Sequence, residues 1–369
     1  MPDTGSAYGT AAARWAGVGP YYAMFPVDFA NSVIRRHTKP GDVVLDPFAG
    51  RGTSIFSAAV QGRVGLGIEL SPVGWVYART KLRPASCERV AERIEKIGTM
   101  AWRYRARAED LPEFFKVCFA AATRRFLLAA RAQLDWMRCR VDRTVMALIL
   151  VHLHGKRADS LSNQMRQTKS MSPEYAIQWW RKREMRPPRR DPVRFLLKKL
   201  KWRYAKGVPE ASGSRVYLGD SSVRLRDIAS QTTSGKIDRV SLLFTSPPYY
   251  RLTNYHYDQW LRGWMLGGPP SAARVGGRFR GKFEDRREYR ALLRSVFSSA
   301  ARVLKRDAIV YVRTDRRPFT YRNTREILRE VFPRKKLHRL LRPVTGPTQT
   351  LLFKNRRSRK GEVDLILRP

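Results

Sequence analysis

Residues 43–70 constrain the fold more than any other stretch. Val43-Val44-Leu45 is a short, continuous apolar run, which reads as a buried strand. It ends in Asp46-Pro47-Phe48-Ala49-Gly50-Arg51-Gly52-Thr53, after which a helix is predicted from Ser54 to Gln61 and a second strand from Val64 to Leu70. Strand, glycine turn, helix, strand is the opening unit of an open α/β sheet. Its glycines let the backbone approach a ligand closely, and the helix start offers unpaired N–H groups. Glu69 closes the second strand, where such units place an acid on ribose hydroxyls. A bare Gly-x-Gly also fits a structural turn. The whole combination points to a nucleotide-like ligand.

A second stretch answers the first. The apolar run Val240 to Phe244 leads into Thr245-Ser246-Pro247-Pro248-Tyr249-Tyr250. Neither proline can donate a ladder hydrogen bond, so the strand must stop there. The product is a stiff turn at a strand's C-terminal end, the edge where open α/β sheets bind ligands. Alone, it is equally a rigid turn carrying surface tyrosines.

Charge narrows the partner. Lysine and arginine number 73 against 31 acidic residues, a formal net charge of +42. Such a chain repels itself unless a polyanion screens it, and nucleic acid is the expected one. Hydrophobic residues make up 43% of the 369, enough for a packed core in one large or two ordinary domains. No long apolar span or lipidation motif is present, and Met1-Pro2-Asp3 starts no signal-peptide pattern, so a cytoplasmic protein without membrane association is expected. Cys87, Cys118 and Cys139 fit neither a zinc spacing nor a disulfide framework, and no metal is expected.

Residues 1–20 read as a loose lead-in, followed by a helix to about Arg36 with Phe29, Val33 and Ile34 on one face. From about 83 to 213 the chain turns helical and very basic, with helices predicted over 89–104, 112–140, 143–154, 173–186 and 195–204. Pro187 to Pro192 reads as a break, and Trp179 and Trp180 as core residues. Strands return at 216–220, 240–244 and 308–313, and β segments close the chain near 337–344, 350–354 and 363–367. The Gly/Pro/Arg-rich 267–281 reads as a loop.

Asp46 to Thr53 together with Thr245 to Tyr249 resembles the amino-methylating DNA methyltransferases, S-adenosylmethionine enzymes that act on cytosine N4 or adenine N6. Met24-Phe25-Pro26 to Phe29 looks like that family's extra N-terminal cofactor motif, and Gly219-Asp220 like its acidic strand end. The resemblance covers roughly 21–82 and 215–369. It implies a doubly wound, Rossmann-like methyltransferase sheet, mostly parallel, closed by a C-terminal antiparallel hairpin. Three regions follow: 1–82 as the cofactor half, 83–213 as a helical basic insertion for target recognition, and 214–369 as the catalytic half. The insertion starts earlier than the family pattern leads one to expect.

The resemblance also implies roles. Phe25, Phe29, Asp46, Pro47, Phe48, Gly50, Gly52, Thr53, Glu69, Asp220 and Thr245 would contact S-adenosylmethionine, with Asp46 and Gly50 at its methionine end and Asp220 at the adenine amino group. Ser246, Pro247, Pro248 and Tyr249 would form the catalytic turn. There the Ser246 hydroxyl and Pro247 carbonyl would accept amino protons and Tyr249 would stack on a flipped base. Serine in the first position resembles the cytosine-N4 members, with adenine N6 as the alternative. Methylation at cytosine C5 needs a thiolate, and no cysteine sits at the turn. Asn163, Gln164, Arg166, Gln167, Lys169, Lys198 and Lys199 are the DNA-binding candidates in the insertion. A cognate restriction endonuclease is the partner that the resemblance brings with it. An RNA base methyltransferase and a non-catalytic nucleic-acid-binding protein are the rival readings.

Overall fold

The computed structural model describes residues 8–20, 25–211, 213–251, 255–272, 285–342 and 361–369. Seven strands form one sheet: β1 (Val43–Asp46), β2 (Val64–Glu69), β3 (Arg215–Leu218), β4 (Val240–Thr245), β5 (Leu304–Asp315), β6 (Lys336–Arg342) and β7 (Glu362–Arg368). Their order is β3-β2-β1-β4-β5-β7-β6. The first five are parallel, and β7 runs antiparallel to both β5 and β6. This is the Rossmann-like, doubly wound sheet with its C-terminal hairpin. The expected β segment at 350–354, Met24 of the N-terminal motif, and most of the predicted 267–281 loop lie outside the described residues.

Central parallel strands are covered on both faces, so they are apolar throughout. All four residues of β1 are buried. Alternate residues still divide between two layers, as a period of two requires. Val43, Leu45, Leu243, Val310 and Val312 face helices Ser221–Thr233, Arg286–Ala301 and Pro318–Val331, meeting Leu225, Ile228, Leu293, Val296, Phe297, Ile327 and Leu328. Val44, Leu242, Phe244, Tyr311 and Ile366 face the other way, towards Val33 and Ile34 of helix Val27–His37 and Ala58 of helix Thr53–Ala59.

The chain divides into two compact units. The sheet unit takes the described residues within 22–78, 210–254 and 276–369, and the helical unit those within 1–21, 79–209 and 255–275. The expected limits of the insertion at 82 and 213 compare with 78 and 209. The linear reading did not anticipate that residues 8–20 and 255–272 would fold with the helices. Residues 8–20 are folded: Thr10 caps helix Ala11–Ala16, and Trp15, 1% exposed, donates its indole N–H to the Gly207 carbonyl at 3.0 Å. In helix Trp260–Met265, Trp260 packs edge-on to Phe114 (4.9 Å) and Trp264 lies 4.5 Å from Phe115. Between them Arg262 is fully buried, yet donates to Leu150 O, Gln259 Oε1 and Gln167 O at 3.0, 2.7 and 2.6 Å. Saturation of this kind is what makes a buried guanidinium tolerable.

Helix limits also moved. The single helix predicted over 112–140 is two, Glu113–Cys118 and Ala121–Gln133. Arg124 donates to Phe119 O (3.0 Å) and Ala108 O (3.2 Å), holding Phe119 extended between them. Asp191-Pro192, read as part of a break, instead starts helix Pro192–Tyr204. The Asp191 carboxylate accepts from Val193 N and Arg194 N, and proline fits the first turn because its missing N–H has no partner there.

Candidate active site

β1 and β4 lie side by side at the point where strand order reverses, the place in a doubly wound sheet where ligands bind. Their C-terminal ends touch. The Thr245 hydroxyl donates to Asp46 Oδ1 at 2.6 Å, so two motifs 199 residues apart in sequence share one hydrogen bond. Asp46 Oδ1 also accepts from Phe48 N at 3.0 Å, and Oδ2 accepts from the Ser54 hydroxyl. Burial pushes the Asp46 carboxyl up to about 6, against these three donors, which favour the ionised form.

The glycine loop is built around Glu69. Its Oε2 accepts from Gly50 N and its Oε1 from Ser71 N, both at 2.7 Å. Burial drives its pKa up to about 7, and the Asp46 charge adds to the rise. Gly52 has φ +75° and a Cβ there would stand 2.7 Å from Ala78 Cβ, so no other residue fits. Gly74 plays the same part from the next helix: its Cβ would meet Gly50 O at 2.8 Å and Glu69 Cγ at 3.0 Å. Arg51 donates to Thr53 Oγ1 at 3.1 Å, and Phe48 packs on the sheet core.

The end of β3 is tied to the same loop. Gly219 N donates to Glu69 O at 2.9 Å, and the Ser221 hydroxyl donates to Pro47 O. Asp220 caps helix Ser221–Thr233, accepting from Ser222 N at 2.8 Å. Phe25 is buried and stacks on Phe244 with centroids 4.5 Å apart, while Phe29 lies beneath the Arg313 guanidinium at 3.5 Å.

The proline turn rests on β5 and β7. Ser246 is half-buried, Pro247 is buried, and Tyr249 is 7% exposed. Tyr249 Oη donates to Glu362 Oε1 at 2.8 Å. Glu362 Oε2 lies 3.4 Å from Arg313, which clasps the fully buried Asp364 through Nε (2.7 Å) and Nη2 (3.0 Å). Tyr311 and Arg342 also donate to Asp364, at 2.7 and 2.9 Å. Burial raises the Tyr249 phenol well above its ordinary value and Glu362 adds to it. Burial would raise Asp364 too, but the hydrogen bond and charge of Arg313 outweigh it and hold that carboxyl low. The Tyr250 carbonyl accepts from Arg317 at 2.6 Å.

Thus Asp46, Pro47, Phe48, Gly50, Gly52, Thr53, Glu69, Asp220, Thr245 and Ser246 to Tyr249 gather at one sheet edge. Sequence reasoning missed Ser54, Ser71, Arg313, Glu362 and Asp364. Ser54 and Ser71 sit beside the motifs and were within reach. Arg313, Glu362 and Asp364 became legible only through the antiparallel register, Arg313 opposite Asp364 and Asp315 opposite Glu362.

The seven insertion candidates lie in the helical unit, in differing surroundings. Asn163 is fully buried; its amide donates to Met185 O at 3.0 Å and its carbonyl accepts from Gln164 N at 2.9 Å. Gln164 Oε1 accepts from Arg157 N at 2.8 Å. Arg166, Gln167 and Lys198 are exposed. Lys169 pairs with Asp258 at 2.6 Å and Lys199 with Asp159 at 3.4 Å. Trp180 is fully buried, as expected of a core residue, and donates to Gln164 O at 2.6 Å.

Residues 5–73 match the family model N6_N4_Mtase, described as DNA methylase. Over that segment the chain is similar to amino-methylating DNA methylases. Three curated relatives are type II methyltransferases. M.MjaII of Methanocaldococcus jannaschii is 33% identical over 67 residues, 18% of this chain and 13% of that protein. M.Cfr9I of Citrobacter freundii is 44% identical over 54 residues, 15% of this chain and 18% of that one. M.XycI of Xanthomonas campestris pv. cyanopsidis is 41% identical over 65 residues, 18% of this chain and 22% of that one. The matches therefore span about a fifth or less of each relative, and the DNA methylase signature covers the glycine loop and Glu69 but not the proline turn. An rRNA methyltransferase, AviRa of Streptomyces viridochromogenes, aligns over 98% of this chain and 96% of its own with 14% identity and a TM-score of 0.36. Among the described residues, no helix is long and apolar enough to cross a membrane.

Proposed function

We propose that the chain is an S-adenosylmethionine-dependent DNA methyltransferase that methylates the exocyclic amino group of a flipped base, cytosine N4 in the first instance. The observation that carries this is the 2.6 Å bond between Thr245 and Asp46, which joins a DNA-methylase cofactor loop to a Ser-Pro-Pro-Tyr turn at the switch point of the sheet.

The residues fit the cofactor. Glu69 ends β2 with each carboxylate oxygen taking one backbone N–H, which leaves an acceptor lone pair on each for vicinal ribose hydroxyls. Gly74 and Gly52 keep the loop clear of side chains that the neighbouring atoms would not admit. The buried Asp46 and Glu69 carboxyls, both displaced upwards by lost solvation, supply negative potential suited to a cationic ligand. S-adenosylmethionine supplies an electrophilic methyl on a positively charged sulfur.

Ser246 is the acceptor in this reading. A phenol has one proton to give, and Tyr249 gives it to Glu362. Ser246 lies half-buried at the turn, where its hydroxyl oxygen accepts an amino proton and draws density onto the amino nitrogen, whose lone pair is otherwise spread into the ring. The Pro247 carbonyl is the second acceptor. Tyr249 has its ring 7% exposed and its hydroxyl fixed by Glu362, which holds the turn in place on β7. Extruding a duplex base costs a few kcal/mol, and aromatic stacking returns ~1–3 kcal/mol.

The test uses methyl-labelled cofactor and duplex DNA, followed by digestion to nucleosides and mass identification. Label is expected in N4-methylcytosine. Ser246→Ala should lower turnover at least tenfold (about 1.4 kcal/mol on the barrier) with cofactor affinity unchanged. Label in N6-methyladenine would overturn the choice of base, and label confined to RNA would overturn the substrate.

A further inference from the structure

The helical unit holds a cavity of about 510 Å³ that the methyl-transfer site does not use. Its walls include the rings of Tyr175, Trp179 and Tyr257, with Arg166, Lys169 and Ser172 among its polar lining. That volume lies within the ~300–1,000 Å³ of small-ligand sites. Tyr175 and Trp179 stand four apart on helix Pro173–Arg181, so their side chains are neighbours on one face. Ala176 and Trp180 turn to the core, both fully buried, which leaves the Tyr175–Trp179 face without a packing task. Tyr175 is 56% exposed. Ser172 occupies the N-cap position of this helix, yet its hydroxyl makes no capping bond.

The floor of the cavity is fixed. His154, fully buried, donates from Nδ1 to Arg166 O at 2.8 Å, and its Nε2 accepts from the Ser170 hydroxyl at 3.3 Å. Ser170 N donates to Asp258 O at 2.8 Å, and Trp260 Nε1 to Met171 O at 2.9 Å. Segment 164–172 is thus held from beneath. Arg183 lies over Trp179 at 4.4 Å and Arg166 is exposed at the edge, so the rim is cationic.

We infer that this cavity binds one unpaired nucleotide, its base stacked among Tyr175, Trp179 and Tyr257 and its phosphate held at the Arg166 edge. Three rings select a flat π system. The cationic edge, on a chain of net charge +42, selects an anionic one. A nucleotide meets both demands. Stacking tolerates any base, so the site grips a strand without reading its sequence. The inference does not rest on methyl transfer, and its test contains no cofactor.

The test is fluorescence anisotropy of the full chain with two labelled single-stranded oligodeoxynucleotides of equal length and charge, one with bases and one wholly abasic. The base-bearing strand should bind about tenfold or more tighter. Tyr175→Ala with Trp179→Ala should abolish that preference, while Tyr175→Phe with Trp179→Phe should retain it. Equal binding of the two strands, or a preference that survives the alanine pair, overturns the inference. Competition by deoxycytidine monophosphate at micromolar concentration would assign the site to free nucleotide instead of a strand, and an equal preference with RNA would extend it beyond DNA. A failed methyl-transfer assay bears on neither outcome.

Discussion

Replacing Glu69 by glutamine separates what this carboxylate does for binding from what it costs the fold. Burial lifts its pKa from 4.5 to about 7. The folded chain therefore keeps a proton that the unfolded chain releases between pH 4.5 and 7. Stability falls as pH rises through that window, and above 7 the whole cost is present. At ~1.36 kcal/mol per pH unit, a displacement of about 2.5 gives roughly 3 kcal/mol. Glutamine carries no such proton. It loses one acceptor, since its amide NH₂ must face either Gly50 N or Ser71 N, a penalty of ~1–3 kcal/mol that does not vary with pH. For a unit of this size ~1 kcal/mol moves Tm by about 2–4 °C. About 0.6 of those units is already lost at pH 5, so melting curves without cofactor should show the variant gaining about 5–10 °C on the parent between pH 5 and pH 8, whichever melts higher at pH 5. Calorimetry at pH 8 should show cofactor binding weakened at least tenfold. A variant-minus-parent difference that is the same at both pH values would refute the account of Glu69 as a carboxylate held at the expense of stability.

Two further substitutions probe the supports of the site. Arg313→Met strips the buried Asp364 of its bidentate partner and leaves only Arg342 and Tyr311 to offset the charge; breaking a buried pair costs up to ~3–5 kcal/mol, so Tm should drop by up to about 10 °C. Adding Asp364→Leu should recover part of the loss, and a single variant that melts with the parent refutes the network. Gly52→Ala forces a Cβ to 2.7 Å from Ala78 in a backbone of φ +75°, so cofactor affinity should fall at least tenfold by calorimetry, and parental affinity contradicts the close packing of the loop.

The sheet was legible because parallel strands announce themselves as apolar runs, and because Asp46 to Thr53 and Thr245 to Tyr250 mark two strand ends. Glu69 was legible by its distance from the glycines. Glu362, Arg313 and Asp364 were not, since an antiparallel register is a property of pairing and leaves no local spacing to read. Burial within the insertion was not legible either: Ser162 and Asn163 are buried and donate to backbone carbonyls of a folded loop, while Arg166 and Gln167 close by are exposed. The tryptophans after Tyr255 look like part of the catalytic stretch in sequence, yet their rings pack against Phe114 and Phe115.

The bond between Thr245 and Asp46 has a bearing on how such a chain can change. Ladder pairs Val43 with Val240 and Leu45 with Leu243 set the distance between the two half-sites, whatever length of chain connects them. Closing a longer connection costs little, about 0.6 kcal/mol for each doubling. The intervening helices can therefore lengthen, shorten or be exchanged for others while the sheet keeps the two strand ends in register. Under the proposed function, target preference would be a replaceable cassette, while the chemistry would stay with the frame that holds it.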